Sequence, residues 1–137
     1  MKLEDQVCSL ELAKKLKQLG VAQKSVFQWA STTTTDETSE YGLRWIHEIR
    51  KGGIIGKDGY SAFTVAELGE MLPWMINNDS PPYYLEAHKI IQTVDIDEWE
   101  IVYARSNYPD LIHKRADTEA DARAKMLIYL LENKLIN

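Results

Sequence analysis

Residues 83–106, YYLEAHKIIQTVDIDEWEIVYARS, decide the fold class. In the first half Tyr83, Leu85 and Ala87 alternate with Tyr84, Glu86 and His88, the period of two that sends successive side chains to opposite faces of a strand. Trp99, Ile101 and Tyr103 repeat the pattern in the second half. Between them Asp95 and Asp97 suit a turn and not a strand interior, so the two halves read as an antiparallel strand pair.

Immediately upstream, FTVAELGEMLP (63–73) carries the strongest helix start in the chain. Thr64 and Glu67 have the spacing of a capping box, in which each side chain satisfies a backbone N–H of the other, and Phe63 and Leu68 hold the positions of a hydrophobic staple. Pro73 disfavours helical geometry at Leu72, so this helix ends there after about two turns. Downstream, DTEADARAKMLIYLLENKL (117–135) places Ala120, Ala124, Leu127, Ile128 and Leu131 on one stripe. Asp117, Glu119 and Asp121 at its start and Lys134 near its end match the helix dipole.

The first third repeats this order. SLELAKKLKQLG (9–20) is an amphipathic helix, with Ser9 as N-cap, Gly20 as stop, Leu12, Ala13, Leu16 and Leu19 on one side and Lys14, Lys15 and Lys17 on the other. SVFQWAS (25–31) and LRWIHEI (43–49) read as two strands, the second with Leu43, Trp45, His47 and Ile49 on one face. The tract from Ser31 to Glu40, with four consecutive threonines and no apolar residue, cannot form a core element and reads as a long hairpin tip. KGGIIGKDGYSA (51–62) reads as a glycine-punctuated loop with a short extended piece at Ile54 and Ile55.

The predicted architecture is therefore a single α+β domain over residues 1–137 in the order α-β-β-α-β-β-α. It has an antiparallel sheet of about four strands with the helices packed on one face, leaving the other open. A length of 137 residues suits one domain with a real core, and 45% hydrophobic with 27% charged residues is an ordinary globular composition.

Charge and cysteine usage narrow the setting. A net charge of −5 disfavours general attraction to nucleic acid, although basic clusters exist at Lys14, Lys15 and Lys17 and at Arg44, Arg50 and Lys51. One cysteine, Cys8, cannot form an internal bridge, which points to a reducing cytoplasm. The segment MKLEDQVCSLEL lacks the apolar core of a signal peptide, and no apolar run approaches the roughly 20 residues of a membrane span.

Three stretches invite a chemical reading. Cys8, just before a helix cap, stands where a thiol can be activated, but a small buried residue explains it as well. GGIIGKDG (52–59) imitates a phosphate-binding loop and departs from it at Lys51, where glycine is required, and at Asp58, where serine or threonine is required. Glu86 and His88 share a strand face and could approach His47 for acid–base or metal chemistry if the hairpins were neighbours. With no paired cysteines or closely spaced histidines, no metal or other cofactor is expected.

The blocks VCSLELAKKLKQLGV, SAFTVAELGEMLP and ADTEADARAKMLIYLLENKLI resemble a family of small uncharacterised proteins found in bacteriophages, prophages and gut-bacterial genomes. That resemblance implies a compact domain of phage or mobile-element origin and supplies no activity. The expected function is accordingly that of a small non-enzymatic binding or accessory protein acting on a protein or small-molecule partner. Its open sheet face, with Trp45, His47, Tyr84, Glu86 and His88 as candidate binding residues, also suits self-association. A nucleic-acid accessory factor and an enzyme with a His/Glu site are the alternatives.

Overall fold

Helix ends follow the local chemistry of the sequence. The computed structural model describes residues 2–31, 41–45, 59–76, 81–93, 96–109 and 111–137. Helix α1 (Leu10–Gln18) starts after Ser9 and stops at Gly20, whose φ of +86° suits a residue without Cβ; Gly20 N–H then donates to Lys17 O and Val21 N–H to Leu16 O. Helix α2 (Val65–Met71) opens on the capping box, with Glu67 N–H donating to Thr64 Oγ1 at 3.2 Å and Thr64 N–H to Glu67 Oε2 at 2.8 Å. It closes at Leu72, whose ψ of 119° is extended as the following Pro73 requires. Helix α3 (Glu119–Glu132) is capped by the Thr118 hydroxyl, which accepts from Asp121 N–H.

The chain order is α1, β1 (Phe27–Ser31), β2 (Tyr41–Trp45), β3 (Tyr60–Ser61), α2, β4 (Met75–Ile76), β5 (Tyr83–Thr93), β6 (Ile96–Ala104), β7 (Leu111–Ala116), α3. The predicted α-β-β-α-β-β-α order is present, with the two-residue β3 and β4 and the six-residue β7 added. An antiparallel four-stranded sheet exists too, but it is built as β4-β5-β6-β7, while β1 and β2 pair in a separate three-stranded sheet, β2-β1-β3. The expected hairpins are both found, Trp29 opposite Leu43 in one and Ala87 opposite Ile101 in the other. The threonine tract beyond Ser31, the Ile54–Ile55 piece and most of the glycine-rich stretch lie outside the described residues.

Helix α3 is central. Its Ala120, Ala122, Ala124, Met126 and Leu130 are fully buried, so apolar contact surrounds most of the helix and is wider than the single stripe the spacing predicts. The alanines let it approach β6, β7, α1 and α2 closely, and each fully buried Met or Leu contributes roughly 1.5–3 kcal/mol of apolar transfer. Tyr103 on β6 is buried against this core and donates its hydroxyl to Pro73 O at 2.6 Å, fixing the α2–β4 turn. Burial pushes its phenol pKa up, and the nearby Arg123 charge opposes this in part.

The chain near residue 8 is threaded through the middle of the fold. Val7 bridges Thr64, Cys8 N–H donates to Phe63 O at 2.9 Å, Cys8 O accepts from Trp29 Nε1 at 2.9 Å, and Ser9 N–H donates to Asp121 Oδ1 at 2.7 Å. A partly buried polar knot joins α2 and β3 to the residues just before β1. Glu67 accepts from Thr64 N–H and Val26 N–H and lies 2.9 Å from the Ser25 hydroxyl, while Ser61 N–H donates to Gln23 Oε1 at 2.8 Å. Ser25 and Ser61 are almost wholly buried, so these bonds replace those that water would make.

Candidate functional site

On β5 and β6 the alternation of side chains divides the four-stranded sheet into two faces. Tyr83, Leu85, Trp99, Ile101, Tyr103 and Ile112 turn to the core. The other face is read off the register in rows: Tyr84, Ala104 and Leu111; Glu86, Val102 and His113; His88, Glu100 and Arg115. Tyr84, Glu86 and His88, predicted from sequence as one face, are therefore brought together on the side away from the helices.

This face has an apolar end and a charged end. At the apolar end Trp74, 70% exposed, stacks on Tyr84 with ring centroids 5.9 Å apart and planes at 30°, and Leu111 is half exposed in the same row as Tyr84. At the charged end His88 Nε2 lies 2.9 Å from Glu86 Oε2 along β5. Glu100 pairs with Arg115 across β6 and β7 and sits 3.4 Å from His113 Nδ1. Partial burial alone would raise the Glu100 carboxyl, but the Arg115 hydrogen bond and charge, then His113, outweigh it and hold the pKa below its ordinary value. Reciprocally, the Glu100 hydrogen bond and charge raise the Arg115 guanidinium. Val102, between Glu86 and His113 in register, is nearly covered, so the middle row is a polar surface over an apolar floor.

The other expected site residues stand elsewhere. Trp45 ends β2 in the three-stranded sheet, opposite Phe27, and is about half exposed. His47 lies outside the described residues, as does Lys51–Asp58 of the phosphate-loop mimic. A second histidine, His113 of β7, joins Glu86 and His88 on the open face; the sequence patterns above do not pick out β7. Its signal was weak: in LIHKRA the core-facing row contains Lys114, with its ammonium 4.5 Å over the Tyr129 ring, while the outer row starts with Leu111.

Cys8 is fully buried, and desolvation drives its thiol up to about 12, with Asp121 adding to the rise and the Phe63 backbone hydrogen bond opposing it. It is a packing residue rather than a nucleophile. Among the described residues no group of three or more His, Cys, Asp or Glu is placed to hold a metal ion, and no described helix is long and apolar enough to cross a membrane.

Two of the hollows among the described residues are lined in part by charged side chains. One, of about 740 Å³, has an apolar floor that includes Phe27, Val65 and Trp99 and an acidic rim on which Asp97 is paired with Lys89 at 2.8 Å. The other, of about 520 Å³, lies between α1 and α3. Comparison with protein-family models, with curated proteins and with solved structures found no match to this chain.

Proposed function

We propose that the chain is a non-enzymatic binding protein that engages a protein partner through the open face of its four-stranded sheet. The observation that carries this reading is the exposed Trp74–Tyr84 stack with Leu111 beside it, bordered by the Glu86–His88 and Glu100–Arg115 pairs. Large aromatic anchors ringed by polar groups are the arrangement in which a few residues dominate binding energy. A solvent-filled enzyme site is less well supported, since the titratable groups of this face sit in water and pair with one another along and across strands. The likeness of the helical blocks to phage and prophage proteins, and a lone thiol suited to reducing conditions, support placing the partner in the cytoplasm of a bacterial host.

A photo-crosslinking amino acid at Leu111 tests this in cells. It is expected to give a discrete heavier adduct that a crosslinker at Lys134 does not give, and that Trp74→Ala with Tyr84→Ala suppresses. Adducts of twice the chain mass would identify the partner as a second copy. Equal labelling from both positions, or adducts indifferent to the aromatic substitutions, would overturn the proposal.

A further inference from the structure

The smaller hollow has a charge opposite to that of the molecule. Lys14 and Lys15 of α1, Lys114 of β7 and Lys125 of α3 line it, against Glu11 and Glu132. Four lysines and two glutamates leave an excess of two positive charges in a chain whose net charge is −5. In a concave site with low-dielectric walls such an excess is focused rather than dispersed.

The way these lysines are held leaves their charge available. Lys15 Nζ is paired with Glu132 Oε1 at 2.9 Å, which neutralises one of the four. Lys125 Nζ donates to the Arg115 backbone carbonyl at 3.0 Å, a contact that restrains the ammonium without cancelling it. Lys114 Nζ lies over Tyr129, and Lys14 Nζ lies 5.2 Å from the Tyr41 ring centroid and 5.6 Å from that of Tyr60. A ring face orients an ammonium electrostatically and takes up no carboxylate, so the Lys114 charge over Tyr129 stays uncancelled within the cleft, whereas the Lys14 ammonium is drawn to two rings outside its lining.

We infer that this cleft binds a small phosphorylated ligand with an apolar body, of the size and chemistry of a mononucleotide. Among the described residues that line the cleft the cations are all lysines, whose ammoniums act as point charges able to meet a phosphate of about −2 at neutral pH. Leu12, Ile128 and the Tyr129 ring supply apolar wall for the rest of the ligand, and about 520 Å³ falls within the usual range of small-molecule sites. This site is separate from the sheet face and does not depend on the protein-binding reading.

The test is an amide NMR titration with adenosine 5′-monophosphate, with adenosine, inorganic phosphate and a short 5′-phosphorylated oligodeoxynucleotide as parallel arms. The nucleotide is expected to shift Lys114, Lys125 and Tyr129 and to bind about tenfold or more tighter than adenosine or phosphate alone. Lys114→Gln with Lys125→Gln should weaken it by about tenfold while the variant stays folded, its melting temperature falling by no more than a few degrees, and Trp74→Ala leaves binding unaltered. Tighter binding of the oligonucleotide, lost in the same lysine variant, would support the phosphate chemistry and assign it to a strand end. No shifts with any phosphate, or shifts that persist in the lysine variant, would overturn the inference, and phosphate binding as well as the nucleotide would remove its apolar half.

Discussion

A carboxylate hub serves each sheet, Glu67 of α2 beside the three-stranded one and Glu100 within the four-stranded one, and the hubs differ in what surrounds them. Glu67, where α2 meets the residues just before β1, takes two backbone N–H groups and lies within hydrogen-bond distance of a hydroxyl from the almost fully buried Ser25. Glu100, on the open face of the four-stranded sheet, is held by Arg115 and His113, whose side chains are half exposed and can turn to water if it is lost. The same residue type is therefore structural beside one sheet and available in the other. What decides is how far its partners are withdrawn from water, Ser25 being almost wholly buried with Ala62 O as its second acceptor.

The comparison is broken first at Glu67. Glu67→Ala removes half of a capping box and the acceptor of the partly buried Thr64 N–H, while Ser25 keeps Ala62 O at 3.0 Å and the exposed Val26 can turn to water, so urea unfolding is expected to show a loss of about 2 kcal/mol. If the loss is below about 1 kcal/mol, the polar knot is not what secures the three-stranded sheet. Next comes Tyr103→Phe, which deletes the hydroxyl bond to Pro73 O on the core side of the four-stranded sheet; the same measurement should give a loss of about 1.5 kcal/mol.

Glu100→Gln sharpens the contrast through pH. Because the folded carboxyl titrates below its ordinary value of 4.5, its stabilisation is fully present above that value and is lost as pH falls through the lower folded pKa. Stability of the parent and of Glu100→Gln should therefore differ near neutrality and converge in acid, with the variant giving the flatter curve; parallel curves would mean that the pair is fully screened. The smallest effect on stability is expected at Trp74→Ala, within about 0.5 kcal/mol, because a residue so exposed has little to lose on folding. A loss above about 2 kcal/mol would show that Trp74 belongs to the fold and not to a contact surface.

Legibility from sequence followed the locality of the signal. The start of α2 is written in Thr64 and Glu67, its end in Pro73, and the stop of α1 in Gly20, each acting on backbone groups within one turn. The faces of β5 and β6 were legible because one side meets the core, and Tyr84, Glu86 and His88 were placed together on the other for that reason. Strand β7 was not, since Lys114 packs inward over Tyr129 and Leu111 outward beside the aromatic stack, which scrambles the apolar alternation. Neither was the division into two sheets, because β3 and β4 hold only two residues each, and β3 pairs with the distant β1 while β4 pairs with its neighbour β5. The lysine cleft was half visible: Lys14 and Lys15 were grouped from α1, whereas Lys114 and Lys125 join them only through tertiary packing.

The threading of residues 7–9 has a consequence for synthesis. Ser9 and Asp121, joined in the finished molecule, are separated by 112 positions, so at about 5–20 residues per second a ribosome makes them roughly 6–22 s apart. Throughout that interval Val7 and the Cys8 sulfur have no finished interior to enter. The thiol thus stays accessible as a nascent group and is sealed only when the last helix packs.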